Sequence, residues 1–188
     1  MMRVLGIDPG IRSTGWGVIA FENNRMRHLG NGAIRPNPAL SDTERLRLIH
    51  DGLTAVITQY QPDWAAIEQI FVAKSAASAL RLGMARGVGL VACGQAGLGV
   101  SEIAARAVKK AVSGTGTADK RQVQDMVKRL LAVVPDNADS ADALAIAIAA
   151  VNEAGHALPG ALDSTSGGLA AAIAAALARD DAGNGGAK

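Results

Sequence analysis

Before any helical periodicity appears, the chain passes through three short apolar segments separated by turn signals. Residues 3–8, 15–21 and about 26–35 read as strands, and Asn23-Asn24 is a tight-turn pair between the second and the third. Three strands joined this closely form an antiparallel meander, whose apolar faces must be covered by later elements. Pro36-Asn37-Pro38 ends it. Ser41 with Glu44 is a capping box, and Leu46, Ile49, Leu53, Val56 and Ile57 mark the core face of a helix over about 42–60. Pro62-Asp63 introduces a further strand ending at Glu68. Helices are expected over about 74–93, 102–112, 118–134 and 139–153, with the Gly/Thr-rich loop Ser113-Gly114-Thr115-Gly116-Thr117 between the second and third of these. The order predicts an α/β fold over residues 1–155, a mixed sheet of a three-strand meander plus parallel strands, flanked by helices. The Gly/Ala-rich residues 156–188 are expected to be a flexible tail, with a weak helix at 169–179.

Against this scaffold four acidic residues stand at element ends. Asp8 follows Val4-Leu5-Gly6-Ile7 and precedes Pro9-Gly10; Glu68 ends Trp64-Ala65-Ala66-Ile67; Asp139 and Asp142 open the last helix. Each alone has an ordinary reading: a turn aspartate, a solvated strand end, helix-capping acids. Taken together they are carboxylates at the ends of apolar strands and at the start of an apolar helix, where an unpaired charge is costly to desolvate. Converging carboxylates are what a hard divalent cation requires, and this points to metal-dependent phosphoryl transfer. The first motif also fits another class, since Asp8-Pro9-Gly10 followed by Thr14-Gly15 resembles the phosphate loop of actin-like and sugar-kinase ATPases. Phe71, just beyond Glu68, is either core or an exposed ring that stacks on an unpaired base.

Charge is distributed unevenly. Residues 74–129 hold ten basic groups against three acidic ones, and residues 130–188 hold two against seven. A basic middle beside acidic clusters suits a surface that grips phosphates next to one that holds a cation, so a nucleic acid is the expected substrate. The chain has no uninterrupted apolar run of membrane-spanning length and no signal-peptide pattern at Met1–Asp8. Its one cysteine, Cys93, lies in an apolar stretch. These features predict a cytoplasmic protein without a membrane partner. His28, His50 and His156 show no ligand spacing.

Gly6-Ile7-Asp8-Pro9-Gly10, Ala66-Ile67-Glu68-Gln69-Ile70-Phe71, Leu82-Gly83-Met84-Ala85-Arg86-Gly87-Val88 and Ala138-Asp139-Ser140-Ala141-Asp142-Ala143-Leu144-Ala145 resemble, in order and spacing, the signature segments of the RuvC-type Holliday junction resolvases. The resemblance covers residues 3 to about 152. It implies a ribonuclease H-like fold, a homodimer, and paired symmetric nicking of a four-way DNA junction in homologous recombination and DNA repair. It places the family's catalytic, metal-holding acids on Asp8, Glu68, Asp139 and Asp142, with Asp139 the position at which some members carry His. Its junction-contacting aromatic falls on Phe71 and its functional lysines on Lys109 and Lys120; Arg86 and Lys110 lie in the same basic segment. The implied cofactor is two Mg²⁺, for which Mn²⁺ could substitute, held about 4 Å apart. In that mechanism Lys120 neutralises charge on the phosphoryl oxygens, and the products carry 5′-phosphate and 3′-hydroxyl ends. A branch-migration helicase complex is the implied partner, and the helix at 74–93 is a candidate dimer contact.

Three other readings stay open from the residues alone. An actin-like or sugar-kinase ATPase duplicates the domain, for which this chain is short. A ribonuclease H-like nuclease acting on RNA or hybrid substrates keeps the same acids. A non-catalytic junction-binding protein would use them structurally.

Overall fold

A computed structural model describes residues 1–69 and 75–156. The expected tail, the weak helix at 169–179 and Phe71 lie outside the described residues. The meander is present as β1 (Met2–Asp8), β2 (Thr14–Glu22) and β3 (Arg25–Ile34). Asn23 and Asn24 turn the second hairpin with φ of 50° and 59°, a conformation Asn tolerates better than most residues. Helix α1 (Asp42–Tyr60) starts at the Ser41–Glu44 capping box and leads into β4 (Trp64–Glu68). Within α1, Ile49, Leu53, Val56 and Ile57 are buried as expected, but Arg45 takes the buried place assigned to Leu46.

The later elements are α2 (Ala76–Gln95), β5 (Gly99–Ile103), α3 (Ala105–Ser113), α4 (Lys120–Leu131) and α5 (Ala138–His156). Two differences from the sequence reading stand out. Residues 99–103, part of which was expected to be helical, form a fifth strand. It has only Val100 and Ile103 as large apolar residues, so its conformation comes from pairing with β4, not from local pattern. Helix α4 also stops early, at Ala132, which adopts a left-handed φ of 51° and donates its N–H to the Lys128 carbonyl.

The sheet order is β3-β2-β1-β4-β5, antiparallel across the meander and parallel from β1 through β4 to β5. Alternation along the strands divides the core into two layers. Leu5, Ile7, Val18, Ala65 and Ile67 pack with α1 and with Ala92 and Cys93 of α2. Val4, Ile19, Ala66 and Ile103 pack with α3, α4 and α5 on the other face. Helix α5 is almost wholly buried along Ala143–Val151, and its small side chains let it lie close on the sheet. Glycine is required beneath it. A Cβ on Gly6 would meet the Ala143 carbonyl, and one on Gly15 the Asp139 carbonyl; one on Gly17 would come within 2.7 Å of the Leu144 side chain. In β1 and β2 these glycines are paired, Gly6 with Gly17 and Asp8 with Gly15, so one flat lane runs under the helix and ends at Asp8.

Candidate active site

The strand register explains why the acids meet. Parallel pairing of β1 with β4 puts Gly6 opposite Ala66 and Ile7 opposite Ile67, so the next residues, Asp8 and Glu68, end adjacent strands at the same level. Since Val4 and Ala66 face the α5 layer, period-2 alternation turns Asp8 and Glu68 to that same face. Helix α5 then delivers Asp142 and, one turn earlier, Asp139. Capping of α5 is done by other residues: the Asn137 amide oxygen accepts from the Ser140 N–H at 3.0 Å, and the Ser140 hydroxyl oxygen accepts from the Asn137 N–H at 3.1 Å. The helix therefore does not need Asp139 and Asp142 as caps. Likewise the turn after Asp8 is closed by Thr14, whose hydroxyl donates to the Gly10 carbonyl at 2.8 Å, and not by Asp8.

Asp8, Glu68 and Asp142 line a cleft of about 300 Å³ with Lys109, Lys120 and the apolar walls Val108, Val123, Ala145 and Ile146. Burial, then the nearby charges of Asp142, Glu68 and Asp139, push the Asp8 carboxyl up to about 7, against a lowering by Lys120. Glu68 is raised too, by burial and then by Asp142, while Lys120 and Lys109 pull it back. Lys120, the first residue of α4, donates to the Asp142 carboxylate at 2.5 Å, and this contact raises its own pKa. Asp139 stands at the rim. Ser13 donates to its Oδ2 at 2.6 Å, and the Arg35 guanidinium lies 3.5 Å from the same oxygen.

Among the described residues no three His, Cys, Asp or Glu side chains already stand around a single point as a finished metal cage. The donor set nevertheless suits a hard cation. It is all carboxylate oxygen, it is more acidic than the local lysines balance, and it holds Asp8 near half-protonation at neutral pH, a state a divalent cation would relieve. Two of the acids are meanwhile satisfied by the protein's own cations, Asp142 by Lys120 and Asp139 by Arg35.

The other residues named from the sequence divide. Lys109 and Lys120 reach the cleft. Lys110 is exposed on α3 and is not part of the cleft lining. Arg86 is engaged elsewhere, 2.6 Å from Glu102 of β5, with its side chain only 18% exposed. Ser13 and Arg35 were not anticipated. No motif marks them, and they meet only because β2 pairs with β3 so that Thr14 sits opposite Ile34.

Along most of its length the chain is similar to proteins of one family. Residues 4–150 match the family model described as crossover junction endodeoxyribonuclease RuvC. The RuvC of Zymomonas mobilis is 51% identical over 148 residues, which is 78% of this chain and 89% of that one. The RuvC of Caulobacter vibrioides is 50% identical over 151 residues, 80% of this chain and 89% of the other. Among solved structures, T. thermophilus RuvC in complex with a Holliday junction substrate superposes with a TM-score of 0.79 at 34% identity, covering 84% of this chain and 97% of that one. The yeast mitochondrial Holliday junction resolvase Ydc2, at 12% identity and a TM-score of 0.56, shares the fold. The mixed sheet with its flanking helices is the ribonuclease H-like arrangement of these neighbours. On sequence over most of its length and on structure alike, the chain belongs to the RuvC family of crossover junction endodeoxyribonucleases.

Proposed function

We propose that the cleft between the tips of β1 and β4 and the start of α5 resolves four-way DNA junctions, in homologous recombination and DNA repair, by metal-dependent hydrolysis of the phosphodiester backbone. The observation that carries this reading is the register that sets Asp8 beside Glu68 and faces both toward Asp142 and Lys120. Asp8, Glu68, Asp139 and Asp142 would hold the cation, which we take to be a pair of Mg²⁺ replaceable by Mn²⁺. Bound there, the metal would supply an activated water and a Lewis acid for the scissile phosphate.

The chain's own groups do the remaining work. Lys120, held at the mouth of the cleft by Asp142, would be free to turn its ammonium to the phosphoryl oxygens, where negative charge develops, were Asp142 engaged by a cation. Lys109, which also lines the cleft, holds the neighbouring backbone phosphate. Val108, Val123 and Ile146 make that part of the cleft apolar, which strengthens both interactions. Cleavage leaves 5′-phosphate and 3′-hydroxyl ends. Phe71 is proposed to stack on a base at the opened crossover, worth about 1–3 kcal/mol. Lys110 is free to contact a phosphate from the outer side of α3, whereas Arg86 would first have to leave Glu102.

A four-way junction has two-fold symmetry, so paired nicks call for two sites related by the same axis. Helix α2 offers the surface. Leu80, Met84, Gly87 and Val91 fall on one face, with Leu80 and Val91 66% and 53% exposed, and space is open above Gly83, Gly87 and Gly94. By length and mean hydropathy, 1.2, this helix could also cross a membrane. Arg81, facing Asp42, and Arg86, paired with Glu102, interrupt it and tie it to the domain, and a second copy is the occupant we propose. Sedimentation of Leu80→Glu tests this: a protein that stays dimeric refutes the α2 contact. A junction nuclease works where chromosomal DNA lies, the cytoplasm in bacteria such as these relatives, and a branch-migration helicase complex is its proposed partner.

The test is strand cleavage of a synthetic junction with a mobile core of varied sequence, with linear duplex and an RNA–DNA hybrid as controls, comparing the native protein with Asp8→Asn. Symmetric nicks near the crossover that vanish in the variant while junction binding persists are expected. Binding without nicks under Mg²⁺ or Mn²⁺ would mean the acids are structural. Equal cutting of a control would mean the substrate is wrong.

A further inference from the structure

We propose that Ser13, steadied by Arg35, is a positioning residue for Asp139: its hydroxyl occupies one carboxylate oxygen and keeps the other turned to the divalent cation. The inference rests on the reading of Asp139 as a ligand. Ser13 Oγ donates to Asp139 Oδ2 at 2.6 Å, and Arg35 Nη2 lies 3.5 Å from that same oxygen. Arg35 Nε in turn donates to Ser13 Oγ at 3.4 Å. A hydroxyl has one proton and two lone pairs. With an N–H directed at a lone pair, the proton is left for the carboxylate, so Arg35 sets the direction in which Ser13 points.

The loop that carries Ser13 is held from below. Thr14, fully buried, donates to the Gly10 carbonyl at 2.8 Å and accepts from the Gly10 N–H at 3.4 Å. Arg45, 8% exposed, reaches from α1 to donate to the Ile11 carbonyl at 2.9 Å. On the far side Gly15 lets the Asp139 backbone approach so closely that no Cβ would fit. Ser13 and Asp139 are thus both fixed to the β1–β2 corner, from opposite ends of the chain. The hydrogen bonds of Thr14 to Gly10 and of Arg45 to Ile11 limit the positions open to this loop and so favour the contact between Ser13 and Asp139. Asp139 is not among the residues that line the cleft, although its charge reaches Asp8, and it needs such a brace more than Asp8 or Glu68, whose strands already aim them. Groups that hydrogen-bond a metal-ligating side chain typically change metal affinity by about 10–100-fold when removed.

The opposite possibility is that Ser13 and Arg35 compete with the cation, and then their loss would strengthen binding. Titration of DNA-free protein with Mn²⁺, followed by the electron paramagnetic resonance signal of the free ion, separates the two. The proteins are the native chain, Ser13→Ala, Ser13→Thr and Asp139→Asn, with thermal melts to verify that each is folded. Ser13→Ala is expected to raise the Mn²⁺ dissociation constant about tenfold, Ser13→Thr to restore it, and Asp139→Asn to raise it at least as far. Unchanged or tighter binding by Ser13→Ala overturns the inference while leaving Asp139 a ligand, provided Asp139→Asn weakens binding. Weakening that threonine does not restore makes the effect structural and also overturns it. If Asp139→Asn binds Mn²⁺ like the native chain, Asp139 is no ligand and both readings fall together.

Discussion

Replacing Asp8 by Asn should make the metal-free protein more stable at alkaline pH. In the fold its carboxyl is pushed from 3.8 up to about 7, first by burial and then by three neighbouring acids. A folded-state pKa above the unfolded one means the folded chain binds more protons between those values. Its stability therefore falls as pH rises through that window, and the full cost is present above about pH 7. Three units at about 1.36 kcal/mol each set a ceiling of about 4 kcal/mol. The clustered acids share protons and relieve one another, so we expect about half of this, about 2 kcal/mol, for one substitution. In a domain of this size that is a rise in Tm of about 4–8 °C. Calorimetric melts in chelator at pH 5 and pH 8 measure it directly. The gap between Asp8→Asn and the native chain should be present at pH 8 and shrink at pH 5, and Mg²⁺ should stabilise the native chain more than the variant. A variant no more stable than the native chain at pH 8 would refute the argument that these carboxylates strain the apo fold.

Other outcomes follow from the same geometry. Because Asp8 is half-protonated near pH 7 and Glu68 is also raised, cation affinity should weaken as pH falls below 7, with up to one proton released per ion; calorimetry in buffers of different ionisation enthalpy counts it. Lys120→Ala removes the 2.5 Å contact with Asp142 and leaves the cleft more negative. Cation binding should hold while single-turnover cleavage drops about 10²-fold, and a loss confined to the Mg²⁺ midpoint would contradict the assigned role. Gly15→Ala sets a methyl against the Asp139 carbonyl, so a loss of about 1–3 kcal/mol in denaturant melts is expected, together with impaired cleavage.

Part of this molecule is legible along the chain because the signals are local. The Asn23-Asn24 turn, the Ser41–Glu44 box and the apolar alternation of β1 each depend on residues within a few positions of one another. The same locality put Asp8 and Glu68 at strand tips and the i, i+3 pair Asp139 and Asp142 at a helix start. β5 was missed because a five-residue strand with two large apolar side chains takes its conformation from its neighbour. Arg86 read as one more basic group because its partner, Glu102, lies on that missed strand.

The sequence by itself thus determined which residues could carry the chemistry and which elements would present them, since propensity, capping and alternation act over a turn or a strand. The tertiary structure alone decided what each acid faces. The β1–β4 register levelled Asp8 with Glu68, and the glycine lane let α5 bring Asp142 to Lys120. Pairing of β2 with β3 set Ser13 and Arg35 against Asp139, across 126 residues of chain in the case of Ser13. A contact made over that separation leaves no local pattern, because its energy is realised only once the sheet has closed.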